Sequence, residues 1–317
     1  MNNFKKIGLS ALAGSLVATS AMAGEMSVAG GASIGVSHKG GDSGKSFTMG
    51  NQLTFSGGGE LDNGLNVAVS FILDQNDDKS ASYAALTANA GIPFDSHSVT
   101  ISSDAMGSLK FSGEGGSSAI SAMDGTAAGD IWDEFDVSTS ITPTGIGGGD
   151  NSMMYTLPAM VDGVAVNASY TPRGSADSTV AWNATYTGVE GLSASIAMGD
   201  GATEGTDGEA YKLSYAFGPI TASFSNYDYT ATTAAASNDT TGYAITYTVN
   251  DELSVTYGAE EIEEGTSEDV ETMKISAAYT AGGMTLTANH YEIENHAGST
   301  AEGEDQEKWS LGLSFAF

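Results

Sequence analysis

The chain of 317 residues has no cysteine, five prolines, and only ten lysines and arginines against 40 aspartates and glutamates. Each scarcity removes a class. Without cysteine there is no disulfide scaffold and no thiolate-bound metal. A formal net charge of −30 repels phosphate backbones, so nucleic acid is not the partner. A mean hydropathy of −0.10 cannot supply the apolar runs of ~20 residues that a bundle of membrane helices needs. Charged residues make up only 16% of the chain, too little for a charge-rich disordered polymer. The 42 glycines follow no G-X-Y period, which excludes a collagen.

What is present begins with an export signal. Lys5 and Lys6 form a positive start, Ile7 to Val17 a short apolar stretch, and Ala21-Met22-Ala23 a small-residue cleavage box. Residues 1–23 are therefore expected to be removed, leaving 24–317 as one domain. No cysteine follows the cleavage site, so a lipoprotein is not expected.

The rest of the chain alternates with period two, the mark of β-strands. Trp309, Leu311, Leu313, Phe315 and Phe317 alternate with Ser310, Gly312, Ser314 and Ala316. The same contrast of large apolar against small or polar runs through 65–71, 211–217 and 243–249. Sixteen strands are predicted, near 25–37, 46–59, 65–74, 97–103, 108–113, 152–160, 164–172, 179–187, 192–199, 209–217, 220–229, 240–249, 252–261, 270–280, 284–293 and 307–317. A further short strand at 83–89 is conceivable within the second long loop. A soluble sandwich also alternates, so the solvent must be read from elsewhere. Tight turns such as Asp62-Asn63-Gly64, Asp162-Gly163, Gly218-Pro219 and Asn250-Asp251 alternate with long acidic loops. Aromatics fall at strand ends on the apolar face: Tyr186, Phe217, Tyr279 and Phe317 toward one edge, Tyr170, Tyr211, Tyr243, Tyr257 and Trp309 toward the other. Short turns on one side, long loops on the other and two aromatic girdles predict an all-β transmembrane antiparallel barrel with both ends on the short-turn side.

With these features the chain resembles the Gram-negative outer-membrane general diffusion porins, in particular the sixteen-stranded trimeric type of alphaproteobacteria. The likeness covers the whole of 24–317. It is strongest in Gly24-Glu-Met-Ser-Val-Ala-Gly-Gly-Ala-Ser-Ile-Gly-Val36, in Gly107-Ser-Leu-Lys-Phe-Ser-Gly113 and in the closing Trp309 to Phe317. The resemblance implies a water-filled barrel passing small hydrophilic solutes and ions, export through the periplasm, and periplasmic termini. It implies assembly as a homotrimer among outer-membrane lipid and lipopolysaccharide. It also implies a third loop folded inward to narrow the pore, and a terminal Phe317 read by the barrel-assembly machinery. A different class, a non-conducting structural or adhesive barrel, shares the same periodicity.

The third loop, about 114–151, is the longest gap between predicted strands, and loops of that length are usually functional. Within it Ile131 and Phe135 are four apart, which predicts one or two helical turns packed on the barrel wall. Glu114, Asp124, Asp130, Asp133, Glu134 and Asp136 belong to the same loop, with no Lys or Arg between 114 and 151. They are the expected constriction, and they predict cation preference, with Asp133 and Glu134 as the foremost pair.

After the leader, the basic residues are Lys39, Lys45, Lys79, Lys110, Arg173, Lys212, Lys274 and Lys308. Strand parity turns Lys110, Lys212, Lys274 and Lys308 toward the lumen, and Arg173 follows near the outer rim. Where the resemblance implies a basic cluster on the early strands, this chain has Gln52, Thr54, Asn66 and Ser70. The acidic outer loops provide solubility and mutual repulsion. No cofactor is expected, although loosely bound divalent cations such as calcium suit such carboxylates; Asp74, Asp77 and Asp78 come nearest to a site. His38, His97, His290 and His296 carry no HExxH motif and no nucleophile elbow, so no catalysis is expected.

Overall fold

The computed structural model describes residues 25–41, 44–74, 96–123, 125–135, 146–174, 177–233, 237–264, 268–296 and 305–317. The expected leader, the conceivable strand at 83–89, Asp124 and Asp136 lie outside these. The strands are β1 (Glu25–Lys39), β2 (Ser46–Glu60), β3 (Asn66–Asp74), β4 (Ser96–Ser103), β5 (Gly107–Glu114), β6 (Ser152–Thr156), β7 (Val164–Thr171) and β8 (Thr179–Tyr186). They continue as β9 (Leu192–Asp200), β10 (Asp207–Phe217), β11 (Ile220–Thr230), β12 (Asn238–Thr248), β13 (Leu253–Glu264), β14 (Val270–Ala281), β15 (Met284–Glu294) and β16 (Gln306–Ala316). Each pairs antiparallel with its sequence neighbours, and β16 pairs with β1, so the sheet closes into a sixteen-stranded barrel.

The alternation sets which way each residue points. Large apolar side chains face out: Ile245 is 56% exposed and Phe217 73%. A soluble barrel buries such residues, whereas a barrel that crosses a membrane turns them to lipid. The inner wall carries Ser, Thr, Asn and Gly, many linked across strands. Thr246 and Thr256 are 2.8 Å apart, Asn167 Nδ2 donates to Asn183 Oδ1 at 2.8 Å, and Ser276 Oγ donates to Asn289 Oδ1 at 2.6 Å.

The predicted strands are all present, and one is shorter than expected. β6 stops at Thr156 rather than near 160, because Pro158 has no N–H to continue the ladder. Backbone bonding resumes only through Leu157 N–H to Val166 O.

Closure depends on a missing side chain. Gly30 N–H donates to Phe317 O at 2.8 Å, and Phe317 N–H returns the bond to Gly30 O at 3.0 Å. The Phe317 ring lies over the glycine, so a Cβ at position 30 would stand 2.5 Å from Cε2 of that ring. Gly30→Val should lift the ring off the seam and cost about 1 kcal/mol. A lower temperature for conversion of the compact to the unfolded band on heated, unheated-control gels is the expected result. An unaltered transition would show that the ring contributes nothing to closure.

Candidate functional site

The third long loop leaves β5 and runs along the inner wall. Its described parts contain two short 3-10 turns, Ser121–Met123 and Ile131–Phe135. Ile131 and Phe135 are fully buried and pack with Ala128, Ile262, Val270, Tyr291 and Ile293. A second apolar cluster joins Ala119, Ile120, Met123 and Ile146 of the loop to Ala181, Ala197, Ala210 and Tyr227 of the wall. The wall is cut away where the loop seats. A Cβ at Gly242 would be 3.0 Å from Thr126 Cβ, and one at Gly258 would be 3.0 Å from Ala128 Cβ.

Polar contacts hold the seat. Ala119 N–H donates to Ser169 Oγ at 2.8 Å and Ala127 N–H to Ser225 Oγ at 2.7 Å. Tyr227 Oη donates to the carbonyls of Met123 and Gly125, each at 2.9 Å. Glu260, only 3% exposed, takes bonds from Thr126 Oγ1, from Trp132 N–H at 3.1 Å and from Thr272 Oγ1 at 3.3 Å. Its carboxylate thus sits at the start of the second 3-10 turn, where backbone N–H groups lack partners within the turn.

Lysine side chains bind the loop's carbonyls. Lys212 Nζ donates to Met123 O at 3.0 Å and also to Gly125 O. Lys274 Nζ donates to Ala128 O, and Lys39 Nζ to Phe135 O at 3.2 Å. Lys308 Nζ donates to Glu134 O at 2.9 Å and pairs with Glu134 Oε2 at 2.6 Å. His296 Nε2 lies 2.9 Å from Phe135 O. Of the basic residues that parity turned inward, Lys212, Lys274 and Lys308 therefore fasten the loop. Lys110 stays exposed on the wall, and Arg173 lies exposed beyond β7, with Nη2 3.8 Å from where a Cβ on Gly149 would be.

The four described acids of the expected constriction, Glu114, Asp130, Asp133 and Glu134, have separate surroundings. Glu114 ends β5, opposite His97 in the strand register. Asp130, at φ 48°, accepts Thr126 N–H at 2.8 Å and closes a turn of the loop itself. Glu134 is paired with Lys308 and accepts Tyr291 Oη at 3.2 Å. Of the four described candidates only Asp133 is exposed. The residues that sequence reasoning passed over are Glu260, Lys39, His296, Tyr227 and Tyr291.

The outer face adds a band of acids beyond the upper aromatics. Register places Glu209 opposite Asp228, Asp228 opposite Asp239, Glu261 opposite Glu271, and Glu292 opposite Glu307. Like charges directly opposite destabilise a sheet, so this band is maintained against the stability of the strands. Among the described residues no three acidic or histidine side chains converge as metal ligands.

The outer face is also uneven. Every strand tyrosine and tryptophan lies on β6 to β16; β1 to β5 carry none. The large apolar side chains exposed there include Met26, Val28, Ile34, Phe47, Met49, Val69 and Val99.

The sequence profile of a family described as Gram-negative porin matches residues 8–317. Comparison with curated protein sequences finds no match. Among solved structures, a multiply substituted Rhodobacter blastica porin is similar at a TM-score of 0.67 with 14% identity, covering 92% of this chain and 100% of that one. A loop-deletion form of OmpT, an outer membrane protein of Vibrio cholerae, is similar at a TM-score of 0.69 with 12% identity, covering 93% and 100%. At these identities the structures speak for the fold.

Proposed function

The chain belongs to the Gram-negative porin family, an outer-membrane diffusion channel by family and fold, and on that premise we propose a cation-preferring pore. It passes small hydrophilic solutes and ions passively, narrowed by the third loop. The observation that carries this reading is the loop's broad attachment inside a barrel whose wall is otherwise lined by small polar side chains. A plug for a non-conducting barrel would fill the lumen. Here the described part of the loop hugs β7 to β16, and the described residues leave recesses lined by Asn183, Thr185, Ser195 and Ser214 on one side and Ser33, Ser37 and Ser310 on another.

Cation preference rests on Asp133 and on the acidic rim, because Glu134 is compensated by Lys308. Under a salt gradient across a planar bilayer, the zero-current potential should have the sign of cation permeation. Asp133→Asn should reduce it, and so should Glu134→Gln, which leaves the Lys308 ammonium uncompensated. An anion-selective wild type would sink the proposal.

The arc without tyrosine or tryptophan supports a homotrimer. Those side chains anchor a barrel at the lipid–water interface, and an arc covered by other copies has no such interface. Sizing in mild detergent should give three copies; a monomer would return β1 to β5 to lipid. Periplasmic termini, export through the periplasm and recognition of Phe317 by the assembly machinery complete the reading. At the outer rim, loosely held divalent cations such as calcium, shared with lipopolysaccharide, would relieve the like-charge pairs.

A further inference from the structure

We propose that the wall facing the third loop selects neutral, polyhydroxylated solutes of sugar size over zwitterions of equal size. This rests on the pore reading above and names its solute class. Inward positions from Ser27 to Ser37, Thr48 to Gly58, Asn66 to Ser70 and Ser98 to Ser102 carry no charge, no ring and nothing longer than Gln52. Two cations border this arc, Lys110 on the neighbouring β5 and, at the end of β1, Lys39, whose ammonium is bound to Phe135 O. The described part of the loop is equally bare on its open edge, where Ala122, Gly129 and Asp133 are exposed. Of its other described acids, Asp130 is turned back on Thr126 and Glu134 on Lys308, while Glu114 ends β5 and Asp150 is exposed where the loop returns to β6.

Two consequences follow from this lining. A zwitterion gains from a pore when cations on one wall and carboxylates on the other align its dipole. Here the facing charges are Asp133 and Lys110, Lys39 being held on Phe135 O, and the charges of β1 to β3 sit at the strand ends, outside the bare stretches named above. A dipolar solute therefore gives up part of its hydration with little returned. A hydroxyl, by contrast, is both donor and acceptor. A wall of Ser, Thr, Asn and Gln can exchange hydrogen bonds one for one with a solute that presents the same groups, and water can bridge any mismatch.

The test is swelling of proteoliposomes holding the purified full barrel, with a five-carbon polyol and a zwitterionic amino acid of similar size. The polyol should enter faster by about threefold, the worth of one net hydrogen bond. Thr100→Lys, which adds a cation to the bare wall, should bring the two rates together, while Thr100→Asn should leave the ratio unchanged. A wild-type zwitterion as fast as the polyol would overturn the proposal, as would an unchanged ratio in correctly assembled Thr100→Lys. Swelling with neither solute would instead overturn the pore reading on which this one stands.

Discussion

Glu260→Ala should give larger and noisier single-channel currents from a barrel that still assembles. The carboxylate is buried, and its loss leaves Thr126 Oγ1, Trp132 N–H and Thr272 Oγ1 without their acceptor. Each buried donor left unsatisfied costs roughly 1–3 kcal/mol, most of it charged to the seated state of the loop. The wall loses only the Thr272 bond, because β13 keeps its ladder to β12 and β14. The loop should therefore leave its seat while the barrel persists. Glu260→Gln is the control: its amide oxygen, placed where Oε2 lies, still accepts Trp132 N–H and the Thr272 hydroxyl, and only the Thr126 hydroxyl must turn toward the amide N–H. Currents should then lie close to wild type. Quiet, unaltered currents in the alanine variant would mean that the apolar contacts of Ile131 and Phe135 suffice to hold the loop.

Lys308→Met should raise the cation over anion permeability ratio by about twofold in dilute salt, the scale of one uncompensated charge near a high-dielectric surface. The change removes the ammonium 2.6 Å from Glu134 Oε2 and leaves that carboxylate facing the lumen beside Asp133. Screening sets the conditions: the Debye length is ~8 Å at physiological ionic strength and ~3 Å at 1 M, so the difference should vanish in concentrated salt. Because Lys308 also holds Glu134 O, the loop tip should loosen as well. Current noise reports that effect and the zero-current potential reports the charge. Lys308→Arg should restore both. An unchanged potential would show that ions pass away from the Glu134 side of the loop.

Period two made the barrel legible because membrane strands must show one face to lipid and one to water, and each side chain records that choice locally. The Ile131 and Phe135 spacing revealed the buried face of the loop for the same reason. The anchors were harder to see. Parity turned Lys212, Lys274 and Lys308 inward, but their partners are backbone carbonyls of residues far away in the chain, which no spacing encodes. A signal was nevertheless present in the exceptions. Tyr227, Ile262, Val270, Tyr291 and Ile293 sit at inward positions, where the pattern calls for small or polar residues, and all five are buried beneath the loop. Glu260 shares that parity with Gly258 and Thr256. Breaks in the alternation trace the loop's footprint on the wall. The partners of Asp130 and Glu134 depend on where the loop lies, which composition does not record.

The seam between β1 and β16 bears on how the molecule is made. It joins the first strand of the sheet to the last, the longest separation in sequence that this chain offers, and such contacts are slow to find. Until they form, the growing sheet has two bare edges whose unpaired N–H and C=O groups invite pairing with other chains. No partial barrel made from the earlier strands escapes this, since only β16 covers the free edges of both β1 and β15. The order of synthesis therefore leaves the whole sheet waiting on its last strand. A chain of this kind must be kept from aggregating until Phe317 reaches Gly30, and the rate of that encounter governs the yield of closed barrels.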